Sequence, residues 1–232
     1  MLGARAPAIA SHDVSIRPSQ FDREEREVEF SRALAFSDGV FAFAITLLVT
    51  TLDVPSLSGG DLNHQLWEAL SDIWPRLGTF FLSFAVIGLL WLRHHRLFSR
   101  VRQLDTMALV LNLAALAFIV LMPFSTEILG RYGQTPVAVT VYALNITFEA
   151  VAFIVMWWYC VRRDMLGETL TPSQRRYELV LRMVIPTVFL VSIPLAFFVS
   201  TNLAKDTWFL AFVGQWLVAR VMVREGDLPA QG

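Results

Sequence analysis

Cysteine is all but missing: Cys160 is the single one in 232 residues. One thiol makes no intramolecular disulfide and no cysteine-based zinc cluster. Charge is scarce as well. Charged side chains make up 17% of the chain, against about 25% in an ordinary soluble domain. The formal net charge is −1, so no basic field draws nucleic acid. The first 31 residues contain no apolar run of signal-peptide length, and no cleaved leader is expected.

What is abundant is apolar surface. Hydrophobic residues reach 55%, with 18 Phe and seven Trp. Mean hydropathy is +0.53. One compact core cannot take that much apolar surface out of water, because small domains leave most side chains partly exposed. The composition points to a chain whose solvent is lipid. Six apolar stretches are long enough to cross a bilayer, which takes roughly 20 helical residues: 32–52, 74–92, 106–124, 137–161, 179–200 and 207–223. Helices satisfy their own backbone in lipid, so the expected class is an all-α membrane protein with six transmembrane helices. The expected organisation is a polar N-terminal tail at 1–31, a six-helix membrane domain at 32–223 and a short tail at 224–232. Pro123, Pro186 and Pro194 are expected to bend or end helices.

Basic residues alternate between the connecting segments. The tail through Arg32 carries five Arg; Arg93, Arg96, Arg100 and Arg102 follow the second span. Arg162, Arg163, Arg175 and Arg176 follow the fourth, and Arg220 and Arg224 follow the sixth. The other side has only Arg76, Arg131 and Lys205. This asymmetry places both termini in the cytoplasm. The opposite side is acidic after the first span, with Asp53, Asp61, Glu68 and Asp72. Leu62, Leu66, Leu70 and Ile73 recur there at helical spacing and predict a short amphipathic helix.

The first span carries the most information. Asp38 lies about 9 Å inward of Arg32 at 1.5 Å per residue. An acid at such depth is costly and needs a partner. Trp91, His94 and His95 end the second span at similar depth, and Asn112 lies two turns into the third. Ser37, Asp38, Trp91, one histidine and Asn112 are therefore expected to meet. On the same helix Gly39, Phe43, Thr46 and Thr50 form a second stripe, flanked by Leu47, with Asp53 continuing it. Thr46 and Thr50 either bond their own backbone or present hydroxyls to a polar path.

These residues resemble a known family. Arg32-x-x-x-Phe36-Ser37-Asp38 resembles the signature of the lysosomal transmembrane potassium channels and their prokaryotic relatives. Similar to that family are also Gly39 through Val49, the ending Trp91-Leu-Arg-His94-His95, Leu111-Asn112-Leu113 and Leu121-Met-Pro123-Phe124. The resemblance covers roughly residues 32–125. It implies a prokaryotic member with one six-helix unit per chain, assembled as a homotetramer in the plasma membrane. The four first helices then line a central pore without a TVGYG-type filter. Arg32, Phe36, Ser37, Asp38, Trp91, His94, His95 and Asn112 form the structural signature network. Phe43, Thr46, Leu47, Thr50 and Asp53 mark the ion pathway. Phe43 departs from the branched aliphatic residue usual at its position and narrows the path further.

The expected function is passive, potassium-favouring cation conduction. Potassium rests transiently near Thr46, with no high-affinity metal site and no cofactor. The partners are potassium ions, further copies of the chain and the lipid bilayer. Asp61, Glu68 and Asp72 either concentrate cations with Asp53 or keep a loop wet. No enzyme is expected: His94 and His95 point about 100° apart on a helix and cannot grip one metal from opposite sides. Glu149 stands mid-span in the fourth stretch, one turn after Asn145. It is read as a structural group, either protonated or bonded to another helix's hydroxyls. The alternative function is a proton-coupled secondary transporter or proton pathway using Glu149 and the histidines.

Overall fold

The computed structural model describes residues 20–54, 56–57 and 59–214. Among them the protein is helical throughout, apart from connecting loops and one isolated bridge between Val101 and Leu166. Five segments are long and apolar enough to cross a membrane: Glu27–Thr51, Ile73–Phe98, Thr106–Tyr132, Pro136–Arg162 and Pro172–Phe198. This is a multi-pass membrane architecture.

Helix α1 (Gln20–Leu47) continues into a 3-10 turn, Leu48–Thr51. The last part of the expected polar tail, 20–31, is thus helical and continuous with the first span. Helix α2 (Leu62–Phe98) has 37 residues, about 55 Å at the helical rise. Asp61 caps its start by accepting from the Asn63 and His64 N–H groups. The expected amphipathic helix is therefore not separate but forms the first turns of α2. Its apolar repeat runs on into the span, and Pro75, inside the helix, removes only one backbone donor.

The third span is broken. Helix α3 (Thr106–Val120) and helix α4 (Met122–Tyr132) meet at Leu121. Pro123 lies in the first turn of α4, where a missing N–H costs least. The segment reaches Tyr132 rather than stopping near 124. Asn145 closes the break: its Nδ2 stands 3.2 Å from each of the Phe118 carbonyl, the Met122 sulfur and the Ser125 hydroxyl. A neighbouring helix thereby satisfies backbone that the kink sets free.

Helix α5 (Pro136–Arg162) and helix α6 (Pro172–Phe198) both start on Pro in the first turn. Thr135 caps the former; Thr171 and Gln174 form a capping box on the latter. Pro186 and Pro194 lie within α6. Helix α7 (Thr201–Thr207) leads to a turn at Trp208, and residues 209–214 are helical again. The rest of the expected sixth span lies outside the described residues. So do Arg220, Arg224, the tail at 224–232 and residues 1–19.

Two apolar clusters hold the bundle. The larger joins Phe41, Ala44 and Leu48 of α1 with Ile87 and Leu90, Ile119, Tyr142 and Ile146, and Phe189 and Trp208. Trp208 stacks on Tyr142 at 5.0 Å and on Phe189 at 5.3 Å, and its N–H donates to Ser192. The smaller lies at the arginine-rich end, around Leu97, Phe98, Phe153, Met156 and Trp157. There the loops after α2 and α5 are stitched together: Arg102 N–H donates to Met165 and Gly167 N–H to Arg100.

Candidate functional site

Helix α1 has two faces with different surroundings. Ser37, Phe41, Ala44 and Leu48 are buried against the rest of the protomer. Gly39, Phe43, Thr46 and Thr50 are exposed, and Leu47 is half-buried beside them. The stripe that mixes an aromatic with two hydroxyls thus turns away from the protomer's own interior. Thr46 donates to the Phe43 carbonyl at 2.9 Å and Thr50 to the Leu47 carbonyl at 2.7 Å. The hydroxyl protons are spent on the backbone, which leaves oxygen lone pairs directed outward.

The buried edge of α1 is tied to its neighbours by polar side chains. Trp91 Nε1 donates to Asp38 at 2.8 Å. Asn112 Nδ2 donates to the Ser37 hydroxyl at 2.9 Å, and its Oδ1 lies 2.9 Å from His94 Nε2. Ser37 passes its own proton to the Ala33 carbonyl. Helices α1, α2 and α3 are joined by these bonds. His95 is exposed and stacks on Trp91 at 5.5 Å instead of joining them. Arg32 and Phe36 are exposed in the protomer and take no part in the bonding described.

Asp53 differs from the expected free acid. Arg76 of α2 holds it at 2.8 Å and Arg131 of α4 at 3.2 Å, while Arg131 also pairs with Glu127. Two acids and two guanidiniums cancel in formal charge. The cluster pins the C-terminal end of the first span to α2 and α4. Sequence order hid this pairing, because the two arginines are 23 and 78 residues away.

Sequence reasoning also missed Arg93. Counted as a loop residue, it is buried inside α2, with its guanidinium over the Phe153 ring at 5.6 Å and an electrostatic tie to Glu149. The usable signal was Glu149 itself, since an acid mid-span calls for a cation at matching depth. Other unforeseen contacts are Ser83 with the Tyr142 hydroxyl, 3.0 Å, and Thr126 with Ser83, 2.8 Å.

Where α3 begins, outside the spans proper, Asp105 caps the helix through the Ala108 N–H and accepts from the Tyr159 hydroxyl at 2.6 Å. The Tyr159 bond, then the backbone bond, holds its carboxyl below the usual value. A depressed carboxylate stabilises the fold above its unfolded pKa, about 3.9, and loses that contribution as pH falls through the folded value. Tyr159→Phe should therefore lower stability at neutral pH by about 1 kcal/mol or less, the group being partly solvated. Thermal unfolding across pH should show the gap to wild type narrowing in acid. A constant gap would mean that only ring packing had changed.

The family model of the endosomal/lysosomal potassium channel TMEM175 matches residues 32–123, which take in Ser37, Asp38, Trp91, His94 and Asn112. A potassium channel of Streptomyces collinus is 40% identical over 142 residues, covering 60% of this chain and 68% of the relative. The chain belongs to the TMEM175 family. The endosomal/lysosomal proton channel TMEM175 of Homo sapiens is 32% identical over 186 residues, 75% of this chain but 35% of the human protein. Among solved structures, the Chamaesiphon minutus homolog of the lysosomal potassium-selective channel TMEM175 superposes with TM-score 0.68 at 31% identity. It covers 82% of this chain and 97% of the homolog. TMEM175 relatives are thus ion channels, and enzymatic chemistry is not what this fold carries among them.

Proposed function

We propose that the protein is a potassium-favouring cation channel, a homotetramer whose four first helices surround a central path. The observation that carries this reading is the division of α1. Its buried edge is bonded to α2 and α3, while Phe43, Thr46 and Thr50 have no partner side chain within the protomer. An aromatic in line with two hydroxyl oxygens suits a narrow path that is part apolar and part polar. The family's potassium-channel relatives support the same reading. A Cβ added at Gly39 would meet nothing within 4 Å, so its smallness answers no need of this protomer and suits close approach of another copy.

In this reading Phe43 and Leu47 form the apolar constriction, which resists ions by losing water. The Thr46 oxygens replace part of the lost hydration, and potassium lingers there only briefly. Thr50 extends the polar path outward. Asp53 stands at its mouth with its charge shared between Arg76 and Arg131. Six spans per chain, with both termini and the arginine-rich end in the cytoplasm, complete the arrangement in a prokaryotic plasma membrane. Residues 1–31 and 224–232 flank the membrane domain as tails.

Vesicles containing the purified protein should dissipate a potassium gradient faster than a sodium gradient. Thr46→Ala should lower that preference several-fold while leaving flux measurable. Equal rates for the two ions in wild type would remove potassium preference, and an unchanged ratio in the variant would remove Thr46. Proton flux belongs in the same assay, because the human relative is named a proton channel.

A further inference from the structure

Among the described residues four buried side-chain atoms have no hydrogen-bond partner: Arg93 Nη1, His94 Nδ1, Glu149 Oε2 and Arg182 Nε. Their residues are 8%, 2%, 4% and 8% exposed. They come from α2, α5 and α6, and side-chain contacts draw them together. Glu149, Phe153 and Trp157 succeed one another at four-residue intervals on one face of α5. The Arg93 guanidinium lies over Phe153 at 5.6 Å and that of Arg182 over Trp157 at 4.6 Å. The His94 ring stands 6.0 Å from Phe153. Arg93 Nη2 donates to the Arg182 carbonyl at 3.4 Å.

Arg93 and Glu149 sense each other's charge, yet no ion pair closes between them. A buried carboxylate and guanidinium held apart keep most of their desolvation cost. Protonation of the acid, or water between the two groups, removes it. An enclosed water needs two to four polar partners, and the unpartnered atoms of Arg93 and Glu149, whose charges act on each other, offer two.

The cluster also continues to the surface. Arg182 pairs with Glu178; Arg100 bonds Glu178 at 2.7 Å and Glu168 at 2.7 Å. Side-chain exposure rises along this line from 9% at Arg182 through 16% at Glu178 and 29% at Arg100 to 59% at Glu168. These paired polar groups connect the buried cluster to the arginine-rich end.

We propose that these groups line a hydrated shaft inside each protomer and that Glu149 is a proton-binding site served by it. The step is a proton transfer alone: hydronium gives a proton to a Glu149 carboxylate oxygen and leaves water. The charge that bears on it directly is Arg93 of α2; next to Arg93 stand His94 on α2 and Arg182 of α6, the latter neighboured by Glu178 and Tyr177. Helix α3 has no titratable side chain along 106–120, and Asp105 at its cap is held by Tyr159. On α5 itself the others are Tyr142, Tyr159, Cys160 and Arg162. Glu127 and Arg131 of α4 pair with each other, and Lys205 of α7, next to Asp206, donates to the Gly133 carbonyl. The shaft excludes the exposed stripe of α1, so it stands whether or not that stripe lines a pore.

Infrared difference spectra of the full chain in lipid vesicles test this directly. As pH falls, a carbonyl stretch of a protonated carboxyl should grow; in heavy water it should shift as soon as the buffer is exchanged. The band should be lost in Glu149→Gln. Glu149→Asp, which keeps the acid, should move the band rather than abolish it and covers the case where the amide variant fails to fold. A titration without any band that responds to these substitutions would leave Glu149 permanently ionised opposite Arg93 and overturn the proposal. A Glu149 band that resists deuterium would overturn the shaft.

Discussion

Replacing Phe43 with alanine is expected to raise potassium efflux from loaded vesicles by at least about tenfold, the effect of lowering a barrier by about 1.4 kcal/mol. Phe43 is 62% exposed in the protomer, so its ring contributes little to the protomer's own core. The substitution should therefore leave folding nearly unchanged, as surface changes generally do. Alanine is also the better helix former. Around a fourfold axis the same change removes four rings from one level of the path. A wider, less apolar constriction holds water more readily, and an ion gives up less hydration to pass. The potassium-to-sodium ratio should change little, since the Thr46 oxygens stay in place. Flux equal to wild type would mean that Phe43 faces lipid, and the proposed axis would have to be placed on another face of α1.

Asn112→Leu should act on the opposite property. Asn112 is buried and bonds both His94 and Ser37. Leucine matches its bulk approximately but leaves His94 Nε2 without a partner in a dry interior. An orphaned buried polar group costs roughly 1–3 kcal/mol, and side-chain bonds within membrane bundles contribute on average about 0.6 kcal/mol each. A total loss of about 2–3 kcal/mol is expected. Ser37→Ala should cost less than about 1 kcal/mol, because it removes an acceptor from Asn112 while the amide keeps His94. Thermal unfolding of both variants in the same detergent orders them. If the leucine variant proved the milder of the two, these bonds would not be what secures α1.

Much of this architecture could be read from residue order alone, for reasons that differ by element. Helix rise is fixed, so depth arithmetic relates Asp38 to Trp91 and Ser37 to Asn112 although 53 and 75 residues separate the bonded pairs. Helical rotation likewise divides His94 from His95: only one of two adjacent side chains can face inward, and that is His94. Hydropathy marks where the spans lie but not where they end. The third runs past Pro123 because a proline in a first turn disrupts little and Asn145 repairs the kink. Charge counting treats every arginine as a loop residue and so misplaces Arg93, whose burial depends on an acid 56 residues later on another helix. For Asp53 the missing information was tertiary too. Arg76 and Arg131 approach it only once α2 and α4 have packed. Arg32 and Phe36 show a further limit: a residue belonging to a recognisable pattern need not touch its companions within one protomer.

The clasp that Asn145 makes across the interrupted third span has a mechanical consequence. The two halves of that span are separate rods, and the side chain bridging their junction belongs to α5. Helix α4 is therefore geared to α5 as well as to the rod that precedes it. Through Arg131 and Asp53 the same rod grips the chain just past the last turn of the first span. The linkage offers a tilt of α5 a path to the far end of α1 that bypasses the buried Ser37–Asn112–His94 bonds.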